Sequence, residues 1–163
     1  MFEDLLNANE QYARTFSLAG LEPAAAKHFA LVTCIDSRIE PLAALGLRPG
    51  DAKILRNAGG RVTDDVLRSL VTAVALLGVR RIAVMHHTAC ALAGRSDAQI
   101  RSTIRAATGT DLGQMWLGAM PDPGAALAAD VEAIRACQNI PSGVAVAGWR
   151  YDVQTGEVTQ VVT

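Results

Sequence analysis

His28-Phe29-Ala30-Leu31-Val32-Thr33-Cys34 is an apolar run relieved by one threonine and closed by a cysteine. A run of this length without polar alternation is the mark of a strand covered on both faces, as in a parallel sheet. Asp51 to Arg56 and Arg81 to His86 read as further strands. Between them Thr63-Asp64-Asp65 caps a helix that runs to Gly78, where glycine ends it. Helices follow over Asp97 to Ala107 and Pro123 to Cys137. Val144 to Tyr151 is a further strand, and Val153-Gln154-Thr155-Gly156 reads as a hairpin turn into Glu157 to Val162. The expected fold class is α/β: a mainly parallel sheet flanked by helices, with an antiparallel edge strand near the C-terminus.

Other segments refine this outline. Asp4 to Phe16 reads as an exposed N-terminal helix with Leu5, Leu6, Ala8, Tyr12 and Phe16 near one face, and is expected to pack on a partner subunit. Ser37-Arg38-Ile39-Glu40 matches a capping box for a short helix over Ile39 to Leu45, with Pro41 tolerated in its first turn. Asn57-Ala58-Gly59-Gly60 is a tight turn where backbone approaches a ligand closely. Thr108 to Pro123 has no clear pattern. With no repeat or linker, residues 1–163 read as a single domain.

The composition narrows the function class. Half of the 163 residues are hydrophobic and 19% are charged, with a mean hydropathy of +0.22. That is apolar for so small a chain, and self-association is the expected outlet. The formal net charge of −1 offers no electrostatic attraction to nucleic acid or anionic membrane. Leu70 to Val79 is the longest apolar stretch and is too short to span a bilayer. The acidic, amphipathic start from Met1 to Leu6 lacks the pattern of a secretory signal, so a cytoplasmic location is expected. An odd count of three cysteines fits metal binding or catalysis better than a disulfide framework.

Two segments carry the chemistry. Cys34-Ile35-Asp36-Ser37-Arg38 begins at the carboxyl end of the first strand, and His86-His87-Thr88-Ala89-Cys90 lies at the end of the third. Open parallel sheets bind ligands at that edge. Two thiolates and an imidazole suit Zn²⁺, and three protein ligands leave a fourth position for water or substrate. Neighbours on a strand face opposite ways, so one of His86 and His87 faces the metal; His87-x-x-Cys90 has the more usual ligand spacing. Spacing alone leaves buried structural thiols and an ordinary histidine as a competing reading, because 53 residues separate Cys34 from His87. Asp36 and Arg38 place a carboxylate and a fixed cation beside the metal; their plainer alternative is a helix cap with a surface ion pair. Cys90 to Arg95 and Cys34 to Arg38 are both out of register for a C-x5-R phosphatase loop. Cys137 reads as a packed hydrophobe and His28 as a structural or solvated residue.

The C-x-D-x-R and H-x-x-C motifs, as Cys34-Ile35-Asp36-Ser37-Arg38 and His87-Thr88-Ala89-Cys90, resemble those of the β-class carbonic anhydrases. Arg56-Asn57-Ala58-Gly59-Gly60 followed by Thr63 to Leu70 is similar to the same family's turn and helix. The likeness runs from the N-terminal helix to Gly156 and is greatest to the short bacterial members. It implies Cys34, His87 and Cys90 as zinc ligands and CO2 and bicarbonate as substrates, with attack of a hydroxide carried by zinc. It further implies Asp36 as a hydrogen-bond acceptor and conditional fourth ligand, Arg38 as its partner, and a homodimer or dimer of dimers. Backbone amides at Gly59 and Ala91 are the expected substrate contacts. The chain departs from the family at Ala89, often polar there, and at Ala91, commonly glycine; a positive φ at Ala91 would put its methyl under strain. Hydrolysis of carbonyl sulfide or carbon disulfide, or silent binding of zinc and bicarbonate, are the alternatives on the same fold.

Overall fold

The computed structural model describes residues 1–163. Five strands form one sheet in the order β2-β1-β3-β4-β5: β1 (Phe29–Cys34), β2 (Ala52–Asn57), β3 (Arg81–His87), β4 (Ala145–Tyr151) and β5 (Val158–Val162). The first four run parallel, and β5 returns antiparallel to β4. All six residues of β1 are buried, since it lies between β2 and β3 with both faces covered. Its one polar side chain, Thr33, donates to the Met85 carbonyl at 2.9 Å.

The helices are α1 (Glu3–Arg14), α2 (Pro41–Ala44), α3 (Asp64–Leu76), α4 (Asp97–Thr108) and α5 (Pro123–Arg135). One face of the sheet packs Ala30, Val32, Ile82 and Val84 against Leu70 of α3 and Val131 and Ile134 of α5. The opposite face gathers Phe29, Leu31, Ala83 and Met85 with Ile39 and Met120. Thr63 caps α3 through its side chain, as its sequence indicated. Asp122 caps α5 by accepting from Gly124 and Ala125. No helix is long and apolar enough to cross a membrane.

The expected capping box and the helix over Ile39 to Leu45 need correction. Ser37 to Glu40 forms no capping box; α2 is a single turn whose N-cap, Glu40, makes no side-chain bond. Asp36 instead accepts the Arg38 amide at 3.0 Å, an Asx turn that competes with helix formation. The chain's capping box is at Ser96 and Gln99, at the start of α4. Positive φ falls at Ala89, at 52°, rather than at Ala91. The unpatterned stretch after α4 is held by Asp97, whose carboxylate accepts from the Leu117 and Ala119 amides. Its Met120 bridges to Ala93 beside the Cys90 loop.

Alone among the long helices, α1 buries none of its residues. Leu5 is 63% and Leu6 64% exposed. His28, at φ 51°, packs its ring nitrogen 2.7 Å from the Gly78 carbonyl, a structural role that ties the turn before β1 to the end of α3.

Candidate metal centre

Cys34 ends β1, His87 ends β3, and Cys90 lies in the turn that follows. Their ligand atoms all lie within 4.8 Å of one another. Parallel pairing of β1 with β3 brings the strand ends to the same edge. His86 and His87 take opposite faces, and it is His87 that joins the thiols. Its Nδ1 lies 2.9 Å from the Thr88 carbonyl, which fixes the proton there. Nε2 is then an acceptor, is buried and has no hydrogen-bond partner. An imidazole lone pair within 4.8 Å of two sulfurs, with its ring held by an outer hydrogen bond, is the donor set that zinc takes.

Their pairing drives the two thiols apart in acidity. Cys34 is pulled down to about 4, chiefly by the hydrogen bond from Cys90, against its burial and with help from His87 and the amides of Asp36 and Gly59. Cys90 is pushed up by the same pairing and by burial, while the Leu92 amide acts against both. The contact with Cys34 raises His87.

Asp36 follows two residues after Cys34 and faces the cluster, with Oδ2 3.8 Å from His87 Nε2. Arg38 donates from Nε to Oδ1 at 2.9 Å and from Nη2 to Oδ2 at 2.7 Å. This fork holds the Asp36 carboxyl well below the usual carboxylate range. Arg38 Nη2 also donates to the Ala89 carbonyl at 3.1 Å, joining the two motif loops.

Arg56 had no assigned role in the sequence, yet its guanidinium organises the first loop. It donates to the carbonyls of Cys34 at 2.8 Å, Asp36 at 2.6 Å and Ile39 at 3.2 Å. The sequence signals were its place at the end of a strand, beside the glycine turn, and its inclusion in the segment similar to the family's turn. In that turn Gly59 has φ 80° and Gly60 φ 67°. A Cβ on Gly60 would lie 3.0 Å from the Thr33 carbonyl carbon and 3.1 Å from the Cys34 nitrogen. The Gly59 amide serves the Cys34 sulfur, whereas the Ala91 amide has no backbone acceptor. The largest groove, about 490 Å³, lies elsewhere, between Phe29, Leu45, Leu47 and Trp149.

Residues 29–117 match a family model described as carbonic anhydrase. The chain is 33% identical over 160 residues to "Beta-carbonic anhydrase 1" of Mycobacterium tuberculosis, covering 98% of this chain and 96% of that protein. It superposes on the carbonic anhydrase of Streptococcus mutans with a TM-score of 0.90 at 38% identity, covering 98% and 96% of the two chains. A carbon disulfide hydrolase of Acidithiobacillus thiooxidans is 31% identical, over 77% of this chain and 72% of its own length.

Proposed function

The chain belongs to the β-class carbonic anhydrase family, and from that membership we propose how its own residues serve the reaction. The enzyme is a zinc-dependent lyase that interconverts CO2 with bicarbonate and a proton. Cys34, His87 and Cys90 would hold the metal. When bound there, zinc supplies a Lewis acid that makes a hydroxide nucleophile available near neutral pH.

The chain's part is orientation and proton placement. Asp36, kept ionised by the two-point grip of Arg38, accepts the hydrogen bond of the attacking oxygen and turns its lone pair toward CO2. Two thiolates offset the metal charge more than imidazoles would, so this neighbour matters more here. Lying 3.8 Å from His87 Nε2, the same carboxylate would also be available as a conditional further ligand. Ala91 and Gly59 are the proposed amide contacts to substrate oxygens. Ala91 is the freer of the two.

The observation that carries this reading is the convergence of three ligand atoms within 4.8 Å beside a carboxylate fixed by arginine. Stopped-flow CO2 hydration on zinc-quantified protein tests it, with Asp36→Asn as control. Zinc-dependent hydration that falls in the control supports it; full zinc occupancy without hydration from neutral to alkaline pH contradicts it. The likeness to a carbon disulfide hydrolase favours a second substrate class, carbon disulfide or carbonyl sulfide. Sulfide release from either, faster than CO2 hydration, would make that reading the main one.

Self-association is proposed as a homodimer or dimer of dimers, with α1 of one protomer seated on the other. The unburied apolar face of α1 and the groove around Phe29 and Trp149 support it. The proposed compartment is the cytoplasm, where a reducing poise keeps the free thiols of Cys34 and Cys90 available as ligands.

A further inference from the structure

Behind the metal face, on the other side of the sheet, lies a second buried cluster. Asp130 of α5 is 3% exposed. Its Oδ2 accepts from Arg61 Nε at 2.6 Å and lies 3.1 Å from His86 Nε2. Its Oδ1 accepts from the Val62 amide at 3.1 Å. Burial pushes the Asp130 carboxyl up, but the bonds from His86 and Arg61 outweigh it and hold it below the usual range. An ion pair buried this deeply carries a desolvation cost that apolar packing would avoid.

Each arm of the cluster leads to one metal ligand. His86 precedes His87 on β3, so fixing one ring fixes the strand that presents the other. Arg61 closes the glycine turn: its amide donates to Asn57 Oδ1 at 2.8 Å and its carbonyl accepts from Asn57 Nδ2 at 2.7 Å. That turn packs Gly60 against the main chain of the first ligand, where a Cβ would lie 3.1 Å from the Cys34 nitrogen. Arg61 Nη1 also donates to the Gly118 and Ala119 carbonyls. The next residue, Met120, donates to the Leu92 carbonyl at 2.9 Å and accepts from the Gly94 amide at 2.8 Å. Between those two residues, the Ala93 amide donates to the Cys90 carbonyl at 3.1 Å.

We propose that Asp130 is a positioning residue for the metal centre, joining the supports of Cys34, His87 and Cys90 through Arg61, Val62 and His86. This rests on the assignment of those three residues as zinc ligands. Outer hydrogen-bonding partners of metal ligands typically change metal affinity 10- to 100-fold, and that range is expected here.

The test is zinc affinity, measured by chelator competition, in wild type, Asp130→Asn and Ile134→Ala. Ile134 is buried on the same helix and outside the cluster, and urea unfolding of the zinc-free proteins shows whether the two variants are comparably destabilised. About 10-fold or greater weakening in Asp130→Asn, with much less in Ile134→Ala, supports the proposal. Unchanged affinity in Asp130→Asn, or equal loss in both, overturns it. If Asp130→Asn does not fold, Arg61→Lys decides, since it keeps a cation but loses the Nη1 bonds. Weaker zinc binding with faster hydrogen exchange in residues 57–62 and 90–94 supports the proposal; wild-type affinity and exchange overturn it. Wild-type protein that binds no zinc would overturn the metal-site assignment itself.

Discussion

Arg38 and Asp36 meet edge to edge, with two nitrogens of the guanidinium on two oxygens of the carboxylate at 2.9 and 2.7 Å. Both lie in one loop, and Arg38 extends the contact to the Ala89 carbonyl of the other. The fork fixes the direction of the carboxylate as well as its charge. A lysine, with a single point of charge, cannot reproduce it.

Replacing Arg38 with alanine should move the acid limit of activity. Arg38 holds the Asp36 carboxyl low; without it the carboxyl rises toward the ordinary value of about 4. Asp36 then protonates at higher pH, so activity is lost sooner as pH falls. Bicarbonate dehydration followed from pH 7 downward, at matched zinc occupancy, checks this. An unmoved acid limb contradicts it.

Gly60→Ala should damage both fold and site. The added methyl meets main-chain atoms of Thr33 and Cys34 and sits at φ 67°, so a loss of about 2 kcal/mol or more is expected. Urea unfolding and zinc content should fall together. A variant as stable as wild type would show that the turn can give way.

Ala89→Gly should stabilise. Ala89 holds φ 52°, and relieving that strain gives up to about 1 kcal/mol after the added freedom of the unfolded chain is offset. The gain is read in the unfolding midpoint. No gain, or a loss, would mean that the methyl packs better than its exposure indicates.

Zinc removal should leave Cys34 the reactive thiol. The bond from Cys90 holds Cys34 at about 4, so its ionised fraction hardly changes between about pH 6 and 8, while Cys90 stays protonated. Alkylation of chelator-treated protein, mapped by mass spectrometry, should label Cys34 first and at a nearly constant rate over that range. Reloading zinc should protect both. Equal labelling of the two would contradict that opposed acidity.

Leu5→Asp with Leu6→Asp should weaken self-association. Both side chains are exposed on α1, and charge there opposes burial in a partner. Sedimentation velocity should shift toward the monomer at micromolar concentration. An unchanged oligomer places the interface elsewhere.

The centre of the sheet was legible because β1 carries its burial in its composition, and the candidate metal group because Cys34 and His87 fall at strand ends with Cys90 in the next turn. The loop after Cys34 was misread as helix-forming: Ser37 and Glu40 have the right spacing, but Asp36 captures the Arg38 amide first. The Asp130 cluster was illegible, since Arg61 and Asp130 lie 69 positions apart in segments without a motif. Its one local trace was the paired histidines, because the ring not facing the metal needs a partner on the other side. The family pattern pointed to strain at Ala91 only on the condition of a positive φ, and the backbone has that φ at Ala89 instead.

Cys34 and His87 belong to different strands and come together only when β1 and β3 pair in register. An unfolded chain keeps only the local His87 and Cys90 pair, so zinc binds the native state far more tightly. Above the dissociation constant, each tenfold rise in free zinc adds about 1.4 kcal/mol to the unfolding free energy. The melting temperature of this enzyme is thus a gauge of the metal supply around it.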